Sequence, residues 1–423
     1  MCFWKLGATV PSYPCFLCTV RSLIISPDEK VKPFPLLKLP SLPLELVTRL
    51  ASPIEIVKLA TCNRRLEMFL RSRKYKLQMF EIYLSDLMHH FRLRRCYDPN
   101  IHYYINFDSV SSVNPKKFLE SEKTLGHIYN RFTLKTKHSL DLELDFEYFH
   151  PSERFEIQKL ISSLFSYQSL IWVLCSDSLQ KESFHRLLNL ILDTQYNRII
   201  IYGKGEIDNE LLTEALNQIP QTKQLQVSAK IPKRFKHPNV FKLSLAIYVD
   251  AQWLSIEDLL TIRGSPKIEL LSTNFDCHDV NRLLRYWADC EEDMMDRICI
   301  RLRDGEVCNK DILAENLICG AYDCSDHTHL LIIVNDENNR SRMLGHLHLL
   351  GNTLWFTTWG YQDDCRRDID ALRVLRKFKA VKYEFRTIED KSEESQQRRE
   401  KLNLEMALLQ KEVEEISKIL NIY

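Results

Sequence analysis

The most regular hydrophobic pattern lies at the end of the chain. Between Glu389 and Tyr423 the residues Leu402, Met406, Leu409, Val413, Ile416 and Leu420 alternate steps of four and three among Glu, Lys and Gln, a heptad seam on one long helix. It covers about three heptads, so two fates stay open: a coiled coil between copies, or an amphipathic helix folded back onto the domain before it. At the other end, Phe34-Pro35-Leu36-Leu37-Lys38-Leu39-Pro40 is an apolar entry whose prolines favour extended chain. Three short helices follow. Ser41 is placed to cap the first, with Leu42, Leu46, Val47 and Leu50 on one face. Ser52-Pro53-Ile54-Glu55 combines a capping box with proline at the first helical position, and Ile56, Val57, Leu59 and Ala60 supply the buried side. Asn63 caps a third helix carrying Leu66, Phe69 and Leu70. Such a module buries little surface by itself, so it leans on a partner or on the domain behind it.

From about Leu170 short apolar runs alternate with helical ones. Leu170–Leu174, Arg198–Tyr202, Gln224–Val227, Lys242–Ile247, Lys267–Leu271 and Arg297–Leu302 read as strands. Phe184, Leu187, Leu188 and Ile191 make one helix face between them; Leu211, Leu212, Ala215 and Leu216 make another, and Val280, Leu283, Leu284 and Trp287 a third. Strands recur at intervals of roughly 18 to 30 residues, which predicts an α/β domain of right-handed strand–helix units akin to an irregular leucine-rich-repeat solenoid. One sheet face is then exposed. His327–Val334 and Arg342–Leu350 read as a hairpin around the polar Asn335–Arg340 turn, and Thr353–Trp359 as a third, antiparallel strand. Before this region the pattern is weak: Lys76–Leu84 reads as a strand and His102-Tyr103-Tyr104 as part of an aromatic loop.

Composition narrows the function classes. The 423 residues are 45% hydrophobic, enough for a sizeable core, and 58 basic against 57 acidic side chains leave a formal charge of +1. Neither nucleic acid nor an anionic membrane is called for by the global charge. Thirteen cysteines, odd in number and mostly scattered singly, fit reduced thiols and a cytoplasmic or nuclear location. Gly7–Val20 is mildly apolar but interrupted by Pro11 and Pro14, and it reads as a tail, with a signal peptide as the alternative.

Two stretches carry a family resemblance. Leu39-Pro40 with Leu44, Val47 and Leu50, then Pro53-Ile54-Glu55-Ile56-Val57-Lys58-Leu59 and Thr61-Cys62-Asn63-Arg64-Arg65, resemble the F-box, especially its divergent nematode form. Downstream, Trp253-Leu254-Ser255-Ile256-Glu257-Asp258-Leu259-Leu260, Ile268-Glu269-Leu270 and Asp279-Val280-Asn281-Arg282-Leu283-Leu284-Arg285-Tyr286-Trp287 look like the type 2 F-box-associated domain, in that family's order. The resemblance implies a substrate-recognition adaptor of a ubiquitin ligase and no catalytic residue. Its F-box would bind a Skp-type adaptor on the cullin scaffold through Phe34, Pro35, Leu36, Leu39, Pro40, Leu44, Val47, Leu50, Ile54 and Leu59, and its second domain would hold a target protein. The expected division is a tail over residues 1–33, the F-box over 34–75, a recognition domain over 76–385 with the associated signature near 225–292, and the terminal helix over 386–423. Asn281 and Trp287 read as structural, the first bonding nearby backbone and the second completing a helix face.

Other chemistry finds less support. Ten glycines include no GxGxxG or GxxxxGK[ST] phosphate loop. Cys319, Cys324, His327 and His329, with His346 and His348 on the next strand, are zinc-type ligands without standard knuckle spacing, so no metal or other cofactor is assigned. His89-His90 are neighbours whose side chains diverge, and Cys15-Phe16-Leu17-Cys18 is a lone CxxC in the tail. The rival readings are a scaffold with a degenerate F-box and a zinc-dependent hydrolase using the Cys319–His348 segment.

Overall fold

The structure is a computed structural model that describes residues 40–62, 64–85, 88–95, 102–108, 132–138, 141–146, 159–324, 327–335, 340–360, 365–388 and 393–420. The chain is mixed α/β and divides into two compact units, Met1–Ile171 and Trp172–Tyr423. That boundary falls inside the span that the sequence pattern treats as one recognition domain.

The first unit opens with helices α1 (Ser41–Leu50), α2 (Pro53–Cys62) and α3 (Arg64–Arg73). The capping box at α2 forms: Ser52 N–H donates to Glu55 Oε2 at 2.7 Å, and Glu55 N–H donates to Ser52 Oγ at 3.3 Å. At α1 the expectation shifts by one residue. Pro40 occupies the cap position, Ser41 is already helical, and no side chain caps the helix. Asn63, the expected cap of α3, lies outside the described residues.

Strands β1 (Tyr75–Leu84), β2 (Met88–Arg95), β3 (His102–Asp108), β4 (Phe132–His138) and β5 (Asp141–Phe146) follow in the order β1-β2-β3-β5-β4, antiparallel except for the parallel β3/β5 pair. His102-Tyr103-Tyr104 therefore opens a strand and not a loop: the seven residues, with Tyr103, Ile105 and Phe107 at alternate positions, pair with both β2 and β5. Helix α2 packs against β3 and β5. Phe80 meets Phe91 edge-on, with ring centroids 5.7 Å apart, and the Tyr75 hydroxyl donates to Thr48 Oγ1 at 2.6 Å, tying α1 to the start of β1.

The unit boundary falls within β6 (Phe165–Cys175). The second unit continues as α4 (Lys181–Leu192), β7 (Arg198–Tyr202), α5 (Asn209–Gln218), β8 (Gln224–Val227), β9 (Leu245–Tyr248), α6 (Ile256–Leu260), β10 (Ser265–Leu270), α7 (Cys277–Asp289) and β11 (Met295–Arg301). Neighbouring strands from β7 to β11 are parallel. Burial alternates along β7 and β8, so one sheet face is fully covered and the other only partly. The helix faces read from the sequence supply the cover: Phe184, Leu188 and Ile191 of α4, Leu211, Leu212, Ala215 and Leu216 of α5, and Val280, Leu283, Leu284 and Trp287 of α7 are all buried.

After the short helix α8 (Lys310–Leu313), strands β12 (Cys319–Cys324), β13 (His327–Ile333), β14 (Arg342–Leu350) and β15 (Thr353–Gly360) extend the sheet in antiparallel fashion, with β15 beside β11. Trp287 of α7 packs edge-on against Phe356 of β15, centroids 4.9 Å apart, on one face. On the other face α9 (Arg366–Thr387) covers β13 and β14 through Ile369 and Leu372 against Leu331, Ile333 and Leu344. The last helix, α10 (Glu393–Leu420), turns back along α9. Leu402 is buried and Met406, Leu409 and Val413 are half-buried, while Arg398 pairs with Glu384 at 2.7 Å and the Arg399 guanidinium lies over the Phe385 ring. The heptad seam thus serves packing within the chain.

Candidate partner-docking surfaces

Helix α1 has two apolar sides. Leu44 and Ala51 are buried with Thr48, whose hydroxyl receives the Tyr75 hydrogen bond. The other side is open: Leu42, Leu46 and Leu50, spaced by four and therefore stacked on one face, are 67%, 55% and 67% exposed. The face read from spacing, Leu42, Leu46, Val47 and Leu50, is thus the outer one. Val47 alone of its four residues is even half-buried, because the chain turns Leu44, Thr48 and Ala51 inward. Met68 of α3 adds another exposed apolar side chain, at 65%. Isolated surface leucines are ordinary, but three on one helix stripe form an apolar ridge. Flanking ion pairs, Glu45 with Arg49 at 2.6 Å and with Arg73 at 3.2 Å, lie at the surface and add little stability.

The ten expected docking positions separate accordingly. Phe34, Pro35, Leu36 and Leu39 lie outside the described residues. Pro40 and Leu50 are exposed, Val47 and Leu59 are half-buried, and Leu44 and Ile54 sit in the core. A partner meeting this surface touches Leu42, Leu46 and Met68, which the sequence reading left out of its docking set. Their signal was present as leucines four apart interleaved with Glu45 and Arg49.

The sheet face opposite α4, α5 and α7 carries a different chemistry and is covered in part: Ile247 and Cys299 are buried, and Leu331 and Leu344, the ladder partners of His346 and Trp359, pack under α9. Register places Ile200, Gln226, Ile247, Glu269, Cys299, Trp355 and His348 along one line across β7, β8, β9, β10, β11, β15 and β14. At its antiparallel end five rings stack in succession. Trp359 lies on His346, His346 on His329, His329 on His348 and His348 on Trp355, with centroids 4.8–5.3 Å apart and planes within 25°. His329 Nδ1 and His346 Nε2 are 2.8 Å apart, so one nitrogen donates and the other accepts. Burial, aided by the neighbouring His329 and His348, holds the His346 imidazole down at about 4. It is neutral near pH 7, as that hydrogen bond requires of at least one partner.

No group of three or more His, Cys, Asp or Glu among the described residues could hold a metal ion; the side chains of Cys324 and His327 lie outside that description. Ring stacking turns the three described histidines face to face, an arrangement unlike the convergent lone pairs of a tetrahedral site. Burial raises the Cys319 thiol and pushes those of Cys299 and Cys308 up to about 11, so these sulfurs stay protonated near neutral pH. Asn281 bonds backbone as expected, its Nδ2 donating to Leu313 O at 3.0 Å and Glu315 O at 2.9 Å, and Trp287 is wholly buried. Among the described residues no helix is long and apolar enough to cross a membrane. The chain matches no protein-family model, no curated protein and no solved structure.

Proposed function

We propose that this chain is the substrate-recognition adaptor of a Skp/cullin/F-box ubiquitin ligase. The observation that carries the reading is the open ridge of Leu42, Leu46 and Leu50 on the first helix of the module whose sequence resembles the F-box. The same three helices bury Leu44, Ile54, Ile56, Val57, Ala60, Leu66 and Leu70 inward. A module with a finished core and an apolar outer ridge is suited to a protein partner. In this reading the docking set is Leu42, Leu46, Leu50 and Met68 with Pro40, and Leu44 and Ile54 act by holding the helices in place.

The second unit is the target-binding part. We read its strand–helix succession as an irregular relative of leucine-rich-repeat solenoids and this unit as the part that meets the target. The mechanism is positional. Holding a target and a charged ubiquitin-conjugating enzyme on one scaffold raises the effective concentration of the acceptor lysine, and the adaptor itself performs no bond chemistry. Protonated, buried thiols fit a reducing cytoplasmic or nuclear setting.

Co-expression with a Skp-type adaptor followed by size-exclusion chromatography tests the proposal. Co-elution at a fixed stoichiometry is the expected result. A well-folded chain that elutes alone overturns it and leaves the ridge to another partner.

A further inference from the structure

The last helix has a second apolar face. On α10 the seam residue Leu402 is buried and Met406, Leu409 and Val413 are half-buried, whereas Leu404 and Leu408 are 67% and 65% exposed. Leu404 follows Leu402 by two residues, roughly 200° around the helix, and so stands on the side opposite the seam. Leu408, one turn later, stacks on it. We infer that this outer face of α10 pairs two copies of the chain, with Leu404 and Leu408 of one copy packed on those of the other.

The charges beside the leucines name a second copy as the occupant. About Met406 the sequence is symmetric in character: Glu400-Lys401 and Leu404 on one side, Leu408 and Lys411-Glu412 on the other. Helical geometry puts Lys401 and Glu412 on one flank of the leucine pair and Glu400 and Lys411 on the opposite flank. All four charged side chains are exposed, and none of them has an ion partner among the described residues. Two such helices related by a twofold axis meet flank to flank. Run antiparallel, Lys401 faces the second copy's Glu412 and Glu400 faces its Lys411. Run parallel, Lys401 faces the second copy's Glu400 and Lys411 faces its Glu412. Either direction brings opposite charges together on both flanks. Flanks of one sign would repel their own copy and call for a partner of the other sign. An isologous interface needs a patch that complements itself, and this one does.

Two leucines from each copy make a small contact. The pair is therefore weak and concentration-dependent, with Kd on the order of 10–100 μM. The ridge on α1 lies in the other unit, so pairing through α10 is independent of adaptor binding, and failure here leaves the adaptor proposal standing.

Sedimentation equilibrium of the full chain between about 1 and 300 μM tests the inference. The expected result is a reversible monomer–dimer equilibrium. Leu404→Ser combined with Leu408→Ser raises Kd about tenfold or more while the urea midpoint stays at the parent value, because both side chains are exposed. Lys401→Glu raises Kd roughly three- to tenfold. A second substitution then restores pairing to within about twofold of the parent: Glu412→Lys if the helices run antiparallel, Glu400→Lys if they run parallel. A chain that stays monomeric throughout, or a dimer that survives loss of both leucines, overturns the assignment. So does a Lys401→Glu variant that pairs as well as the parent, or one whose defect neither charge exchange repairs.

Discussion

Replacing Leu42, Leu46 and Leu50 together by alanine separates a docking ridge from a folding core. The three side chains are 67%, 55% and 67% exposed in the unbound chain. Full burial of a leucine is worth about 1.5–3 kcal/mol, so covering what remains open contributes roughly 1–2 kcal/mol per residue, or about 3–5 kcal/mol for the ridge. At 1.4 kcal/mol per tenfold, Kd for a Skp-type adaptor rises by roughly 100- to 4,000-fold. Folding stability should barely move, because surface substitutions cost about 0.5 kcal/mol or less and alanine favours helix. Leu70→Ala is the contrast. That side chain is wholly buried, and its truncation costs about 2–5 kcal/mol of stability. Calorimetric titration with purified adaptor, beside urea unfolding of each variant, measures both quantities. Binding within threefold of the parent in a folded triple variant refutes the ridge assignment. A loss of several kcal/mol of stability refutes the premise that the leucines are uncovered.

Three further outcomes follow from the second unit. Gly345→Ala places a methyl group against the Phe356 ring and 3.1 Å from Trp287, so overpacking should lower stability by about 1–3 kcal/mol in urea unfolding; an unchanged midpoint shows that the three elements are not closely packed there. Asn281→Ala removes two hydrogen bonds that tie α7 to the turn after α8 and leaves the carbonyls of Leu313 and Glu315 short of a donor, a loss of about 2–3 kcal/mol; a thermal midpoint equal to the parent's contradicts it. His346 gives a pH signature. Its folded pKa, about 4, lies below the ordinary 6.5, so the unfolded chain binds the extra proton and stability falls as pH drops from about 6.5 to 4. Partial exposure reduces the effect to roughly 1–2 kcal/mol, and His346→Phe should flatten that part of the stability–pH curve; an unaltered slope in the variant rules out His346 as its origin.

Much of the second unit was legible because its strands and helices announce themselves by different periods. Arg198–Tyr202 and Gln224–Val227 appear in the structure with the boundaries the alternating pattern gives. The buried residues of α5 and α7 include every one named from helical spacing. Helix α9 was not legible. Its 22 residues carry Arg and Lys at so many positions that the apolar set Ile369, Leu372, Leu375 and Val381 does not stand out, and only contact with β13 and β14 reveals which face is core. The terminal seam was legible as a pattern but not in its destination, because a heptad stripe is satisfied equally by a second copy or by a helix of the same chain. In the structure the helix that α10 lies along is α9.

The candidate surfaces show the same division between pattern and context. On α1, Leu42, Leu44, Leu46, Val47 and Leu50 are all apolar, and they are too closely spaced for periodicity to say which side faces inward. The deciding contact is long-range: Tyr75, 27 residues beyond Thr48, donates its hydroxyl to that side chain and rolls Leu44 and Ala51 inward. The leucines named together as one face of α1 therefore form its surface, and Leu44, expected among the docking residues, sits in the core. For the histidines on β13 and β14, sequence spacing placed alternating residues on one strand face, but the offset between strands turns that alternation into a continuous stack with Trp355 and Trp359. Ligand-type residues gathered in sequence thus give a ring stack in space. Histidine–histidine contact engages ring faces and one shared proton, whereas metal binding needs the nitrogen edges of several rings free and convergent.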